Sequence, residues 1–103
     1  MALRIDLDYV PQYNQRLARR MLRDMVRREM DAAKTVPCSD CQGWFPSFVM
    51  QFDHLPGKRK CFNLSEARMG RIPIELVRAE MKKCEVVCAN CHIRREHVRR
   101  YGP

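Results

Sequence analysis

Two short cysteine pairs constrain this chain more than any other feature. Cys38-Ser39-Asp40-Cys41 and Cys88-Ala89-Asn90-Cys91 are both C-x-x-C, and 46 residues lie between them. That gap is longer than a simple zinc ribbon uses, so a folded unit must occupy it. Together Cys38, Cys41, Cys88 and Cys91 offer four soft thiolates, the full donor set of a tetrahedral structural zinc with no open position. Gly43, just past the second cysteine, permits the tight backbone turn of a zinc knuckle. A chain of 103 residues folds as one domain with a modest core. A metal tying the start of that core to its end can supply much of the folding free energy. The competing use of C-x-x-C, thiol–disulfide redox work, wants a βαβ setting that the pattern lacks. Cys61 and Cys84 are left over and read as buried thiols, since free cysteine packs like a small hydrophobe.

Charge points to the partner. Twenty Lys and Arg against twelve Asp and Glu give a net charge of +8, which favours a polyanion. The surplus concentrates at the two ends of the chain; the competing reading of a solvated basic surface needs no partner at all. Hydrophobic residues at 46% and charged residues at 31% exclude a largely disordered chain. MALRIDLDYV has no apolar signal core, and no apolar run approaches a membrane span. The expectation is a cytoplasmic protein with no membrane partner.

Periodicity divides the chain into a basic amphipathic helix within residues 1–35 and the domain proper over 36–103. Pro11 suits a first helical turn, and Tyr13, Leu17, Met21 and Met25 recur at steps of four as far as Lys34, with Ala18, Leu22 and Val26 widening the stripe. The other face carries Arg16, Arg19, Arg20, Arg23, Arg27 and Arg28. After the first cysteine pair, Phe48, Met50 and Phe52 alternate with Val49 and Gln51, predicting a strand over 48–53 with one apolar face. Ser65 caps a helical turn ended by Gly70, and Pro73 opens a helix whose Ile74, Val77 and Met81 face inward. Glu85-Val86-Val87 is a short strand, and a basic helix runs from about Asn90 to Arg100. The fold class is α+β.

The chemistry rests on three side chains. Asp53 is a hard carboxylate suited to Mg²⁺ or Mn²⁺, and the adjacent His54 imidazole can take a proton from water. Such a dipeptide at a strand end is otherwise a turn with a satisfied side chain. His92 follows the last cysteine, so a zinc that fixes Cys91 also aims His92 back at Asp53-His54. His97 lies five residues on, about 500° round the helix, and points away from His92 toward phosphate or solvent.

The order CSDC, FDHLPGK, FNLS, KCEVVCANCHIRREH resembles the small zinc-stapled HNH endonucleases of phages and bacteria, which have the ββα-metal fold. The resemblance covers roughly residues 36–98 and leaves the N-terminal helix outside. It implies that Asp53 and His92 ligate the catalytic ion (Mg²⁺, Mn²⁺ or another divalent metal), that His54 is the general base, and that the four paired cysteines hold zinc. The family's middle asparagine orients the loop bearing the base. Here that stretch reads Lys82-Lys83-Cys84-Glu85-Val86-Val87, so Asn63 is the preferred substitute and Asn90 the other candidate.

The implied activity is a metal-dependent DNA endonuclease or nickase leaving 5′-phosphate and 3′-hydroxyl ends, with phage packaging or other DNA-processing proteins as associates. Lys58, Arg59, Lys60, Arg94, Arg95, His97, Arg99 and Arg100 would grip double-stranded DNA, largely without sequence specificity. The alternative is a non-catalytic zinc-stabilised module that binds nucleic acid.

Overall fold

The basic amphipathic stretch forms one helix, α1 (Gln12–Ala33), in a computed structural model that describes residues 12–103. Its expected start at Pro11 and the side chain of Tyr13 lie outside the described residues. A single 3₁₀ turn (Ser47–Val49) leads into strand β1 (Met50–His54). Two short helices, α2 (Leu64–Ala67) and α3 (Ile74–Met81), then precede strand β2 (Cys84–Cys88) and the closing helix α4 (Ala89–Tyr101). Among the described residues the architecture is α+β with one two-stranded antiparallel sheet. No described helix is long and apolar enough to cross a membrane.

The face of α1 that docks differs from the one its strongest apolar row suggests. Val26 and Met30 are buried with Leu64, Ala67, Ile74 and Val77, and Leu22 and Met25 pack against them. Leu17 and Met21 are exposed. The docking seam is the neighbouring row, because side chains 22, 26 and 30 share one helix face and meet the α2–α3 corner. Gly70 fixes that meeting point: its φ is +78°, and a Cβ there would stand 2.8 Å from the Arg19 carbonyl oxygen. Polar clips accompany the apolar seam. Arg27 Nε donates to the Arg68 carbonyl at 3.1 Å, Arg68 donates to Asp31, and Arg78 forms a two-pronged pair with Glu29.

The strand begins two residues later than alternation predicts. Phe48 belongs to the 3₁₀ turn and is 85% exposed, so the apolar face lacks its first member. The register pairs Met50 with Cys88, Asp53 with Glu85 and His54 with Cys84. One end of the sheet therefore abuts the paired cysteines and the other abuts α3. In α2 the flanking residue is Asn63 rather than Ser65, and its amide donates to Glu66 Oε1. In α3 the third inward slot goes to Glu80, which is buried, while Met81 is only half-buried.

Candidate functional site

A second buried cluster unites Cys38, Cys88 and Cys91 with Met50 and Val87. The four thiol sulfurs of Cys38, Cys41, Cys88 and Cys91 all lie within 4.8 Å of one another. A tetrahedral zinc with Zn–S of about 2.3 Å would set sulfur–sulfur edges of about 3.8 Å, so this donor set can hold a structural metal such as zinc. The first knuckle closes through Gln42 N–H to the Cys38 carbonyl and Cys38 N–H to the Gly43 carbonyl, both 2.9 Å. Gln42, not Gly43, takes the left-handed conformation, at φ +61°. Gly43 is needed for space instead, since a Cβ there would meet the Phe45 ring at 2.8 Å.

Cys38 and Cys91 differ in acidity. Burial pushes the Cys38 thiol up, but amide hydrogens converging on its sulfur outweigh this and hold it at about 6. One of these donors is Cys88 N–H, 3.3 Å away. The crowding of thiols around Cys91, beginning with Cys88 and joined by burial, drives that group to about 12. A cation among the sulfurs would favour their thiolate forms. Cys61 and Cys84 stand apart from the cluster. Cys61 is exposed, contrary to its reading as a core thiol, because it borders the charged Lys58-Arg59-Lys60 loop and faces Lys83 Nζ at 3.2 Å. Cys84 is half-buried, and burial pushes its thiol to about 11.

Asp53 and His54 are strand neighbours, so their side chains leave opposite faces of the sheet. Asp53 turns toward α4 and His54 toward α3. The Asp53 carboxylate is buried and accepts from Arg99 through both oxygens, at 2.7 and 2.6 Å, and from Arg95 at 2.8 Å. Burial pushes its carboxyl up, yet the two guanidiniums prevail and hold it at about 2. Arg95 also bridges Asp40 and Glu85. This offsets the repulsion of Asp53 and Glu85, which the register sets directly opposite each other. His92 Nε2 lies 3.5 Å from Asp53 Oδ1 and 3.6 Å from Glu96 Oε1.

His54 meets a residue that sequence reasoning passed over. Its Nε2 is 2.8 Å from Oε2 of the buried Glu80, which also accepts from Lys83 Nζ at 2.8 Å and from the Cys61 amide at 3.1 Å. Burial raises the Glu80 carboxyl, but the donors, led by Lys83 and His54, outweigh it and hold it at about 2. An ionised Glu80 can only accept, so the hydrogen shared with His54 belongs to Nε2, and Nδ1 of the neutral ring carries the lone pair. The signal available in the sequence was the step from Ile74 through Val77 to Glu80, which places a carboxylate on the buried face of a short helix.

His54 and His92 border a common cavity of about 330 Å³, which Asn63 also borders. Asn63 is thus beside the two histidines, but its amide donates to Glu66, and the hydrogen bond to His54 comes from Glu80. Asn90 is exposed in the second knuckle. Of the expected phosphate-gripping side chains, Lys60 lines this cavity, while Lys58, Arg59, Arg94 and Arg100 are exposed elsewhere. Arg95 and Arg99 are committed to carboxylates. Helical spacing carries the reason: positions 92, 95 and 99 share one face of α4, and that face meets Asp53. His97 packs at a tilt against Tyr101, centroids 5.1 Å apart, and still borders a surface hollow with His92. Comparison with protein-family models, curated proteins and solved structures finds no match to this chain.

Proposed function

We propose that this chain is a metal-dependent DNA endonuclease or nickase of the HNH type, with β1, β2 and α4 as a ββα-metal core stapled by zinc. One observation carries the reading. A nitrogen base held by a buried carboxylate and a second imidazole close to a carboxylate border the same cavity.

His54 Nδ1 accepts the proton of the attacking water, and Glu80 keeps Nε2 protonated and the ring in place. Asp53 and His92 offer a hard oxygen and an imidazole nitrogen 3.5 Å apart, a donor pair that suits Mg²⁺ or Mn²⁺. Arg99, whose side chain is 41% exposed, is the group with room to swing away from them. A divalent ion held there would neutralise the phosphoryl charge and stabilise the leaving 3′-oxygen. The products carry 5′-phosphate and 3′-hydroxyl ends. Cys38, Cys41, Cys88 and Cys91 would hold a zinc that takes no part in the chemistry, and Cys91, fixed in this way, would position His92.

A second reading, a non-catalytic zinc module that binds nucleic acid, draws support from the full neutralisation of Asp53 by Arg95 and Arg99. Supercoiled plasmid separates the two. With Mg²⁺, Mn²⁺ or Ni²⁺ the protein should nick it, EDTA should stop the nicking, and His54→Ala should slow it by about 10²- to 10⁴-fold. Cleavage unchanged in His54→Ala removes the assigned base, and DNA binding without metal-dependent cleavage selects the second reading.

A further inference from the structure

The cavity shared by His54 and His92 has a cationic wall that the assigned chemistry does not use. Lys34, Lys60 and Arg68 border it, and no carboxylate does. Lys34 sits just past the end of α1, where the helix dipole favours a cation, with Nζ 5.3 Å over the Phe52 ring. Arg68 is steadied from the side by Asp31 at 3.2 Å, and Arg27 holds its carbonyl. Lys34 and Lys60 form no salt bridge among the described residues. Burial and the nearby Arg68 charge, against some relief from Asp31, lower the Lys34 ammonium from its ordinary value. Folding thus brings three cations to one cavity; Asp31 pairs with Arg68 alone, and the other two keep their charge for an anion that enters.

We propose that Lys34, Lys60 and Arg68 form a seat for a nucleic-acid backbone phosphate, which fixes the strand so that a neighbouring phosphodiester lies between His54 and His92. The seat rests on the endonuclease reading for the identity of its ligand. It also gives α1 a role, since that helix carries Lys34 at its end, outside the HNH-like stretch. The contact is with phosphate and reads no base.

Binding of a short labelled DNA duplex to the full chain, measured in EDTA over a salt series, tests the seat separately from cleavage. Lys34→Gln/Lys60→Gln should weaken binding on the order of 10- to 100-fold at low salt and reduce the slope of log K against log salt by about 2. Lys34→Arg/Lys60→Arg should restore both, and Arg71→Gln/Lys82→Gln, which removes two exposed cations away from the cavity, should change them less. In the wild-type protein, DNA should shift the amide resonances of Lys34, Lys60 and Arg68; this holds as a test even where the double variant fails to fold. Inorganic phosphate alone should shift the same resonances only weakly, as a lone anion without the neighbouring phosphates of a strand. Should phosphate match DNA at equal concentration, the site is one for free anions and the proposal is overturned. Unchanged affinity in Lys34→Gln/Lys60→Gln, or DNA shifts confined to other surfaces, also overturns the seat while leaving metal-dependent nicking to be judged by itself. No DNA binding by the wild-type protein removes the seat and the endonuclease reading together.

Discussion

At the scale of single residues, two buried carboxylates govern the site. Asp53 and Glu80 are both held at about 2, against ordinary values of 3.8 and 4.5. A folded-state value below the unfolded one contributes stability that is complete above the ordinary range and disappears as pH falls through the folded value. The contribution of these two carboxylates to the unfolding midpoint should therefore be flat above about pH 4.5 and drop between there and about pH 2. Glu80→Gln should flatten that acid limb, and at neutral pH should cost about 2 kcal/mol in chemical denaturation, since Lys83 and His54 lose a charged acceptor. An acid limb as steep in the variant as in the wild type would show that Glu80 is not one of the titrating groups. Arg99 supplies the complementary case at Asp53. In Arg99→Ala the carboxylate loses its two-pronged partner, so half-maximal nicking should require less divalent ion; a higher requirement would mean that Arg99 helps the ion rather than competing with it.

At the scale of elements, α1 divides into a docked half and an exposed half. Met30 is 2% exposed and Met21 is 64% exposed, and their nine-residue separation sets them about 180° apart round one helix. Met30→Ala leaves a cavity in the core and should cost about 2–5 kcal/mol, whereas Met21→Ala should stay within about 0.5 kcal/mol. A larger cost for Met21→Ala than for Met30→Ala would mean that the helix docks on the row expected from its strongest periodicity. The helix itself was legible, because four-residue spacing over this length has one interpretation. Its docking row was not, since Leu17, Met21 and Met25 are as apolar as Leu22, Val26 and Met30. The choice comes from Gly70, whose missing side chain lets the α2–α3 corner approach the backbone at Arg19 and Arg23. Similar reasoning covers α3. Its span follows from Pro73 and the apolar spacing, but the placement of Glu80 inside depends on His54 and Lys83 arriving as partners.

At the scale of the whole molecule, the cysteine cluster joins the loop before β1 to the start of α4, and its sulfurs come from segments about 50 residues apart in the chain. Binding free energy at such a site is folding free energy. A strong chelator should unfold the domain, and Cys88→Ser should reduce bound zinc from one per chain and lower the unfolding midpoint. A variant that keeps full zinc and full stability would refute the four-thiolate centre. Read along the chain, the cysteine spacing, the Asp53-His54 pair, His92 and the basic helices were all recoverable, because each depends on residue type and local period. The partners of those side chains were not: Glu80 under His54, Arg95 and Arg99 on Asp53, and Lys34 beside Arg68. Each of these pairs spans 26 to 46 residues of chain or unites separate helices. Strand register and helix docking choose them, and those are set by packing that must satisfy every element together.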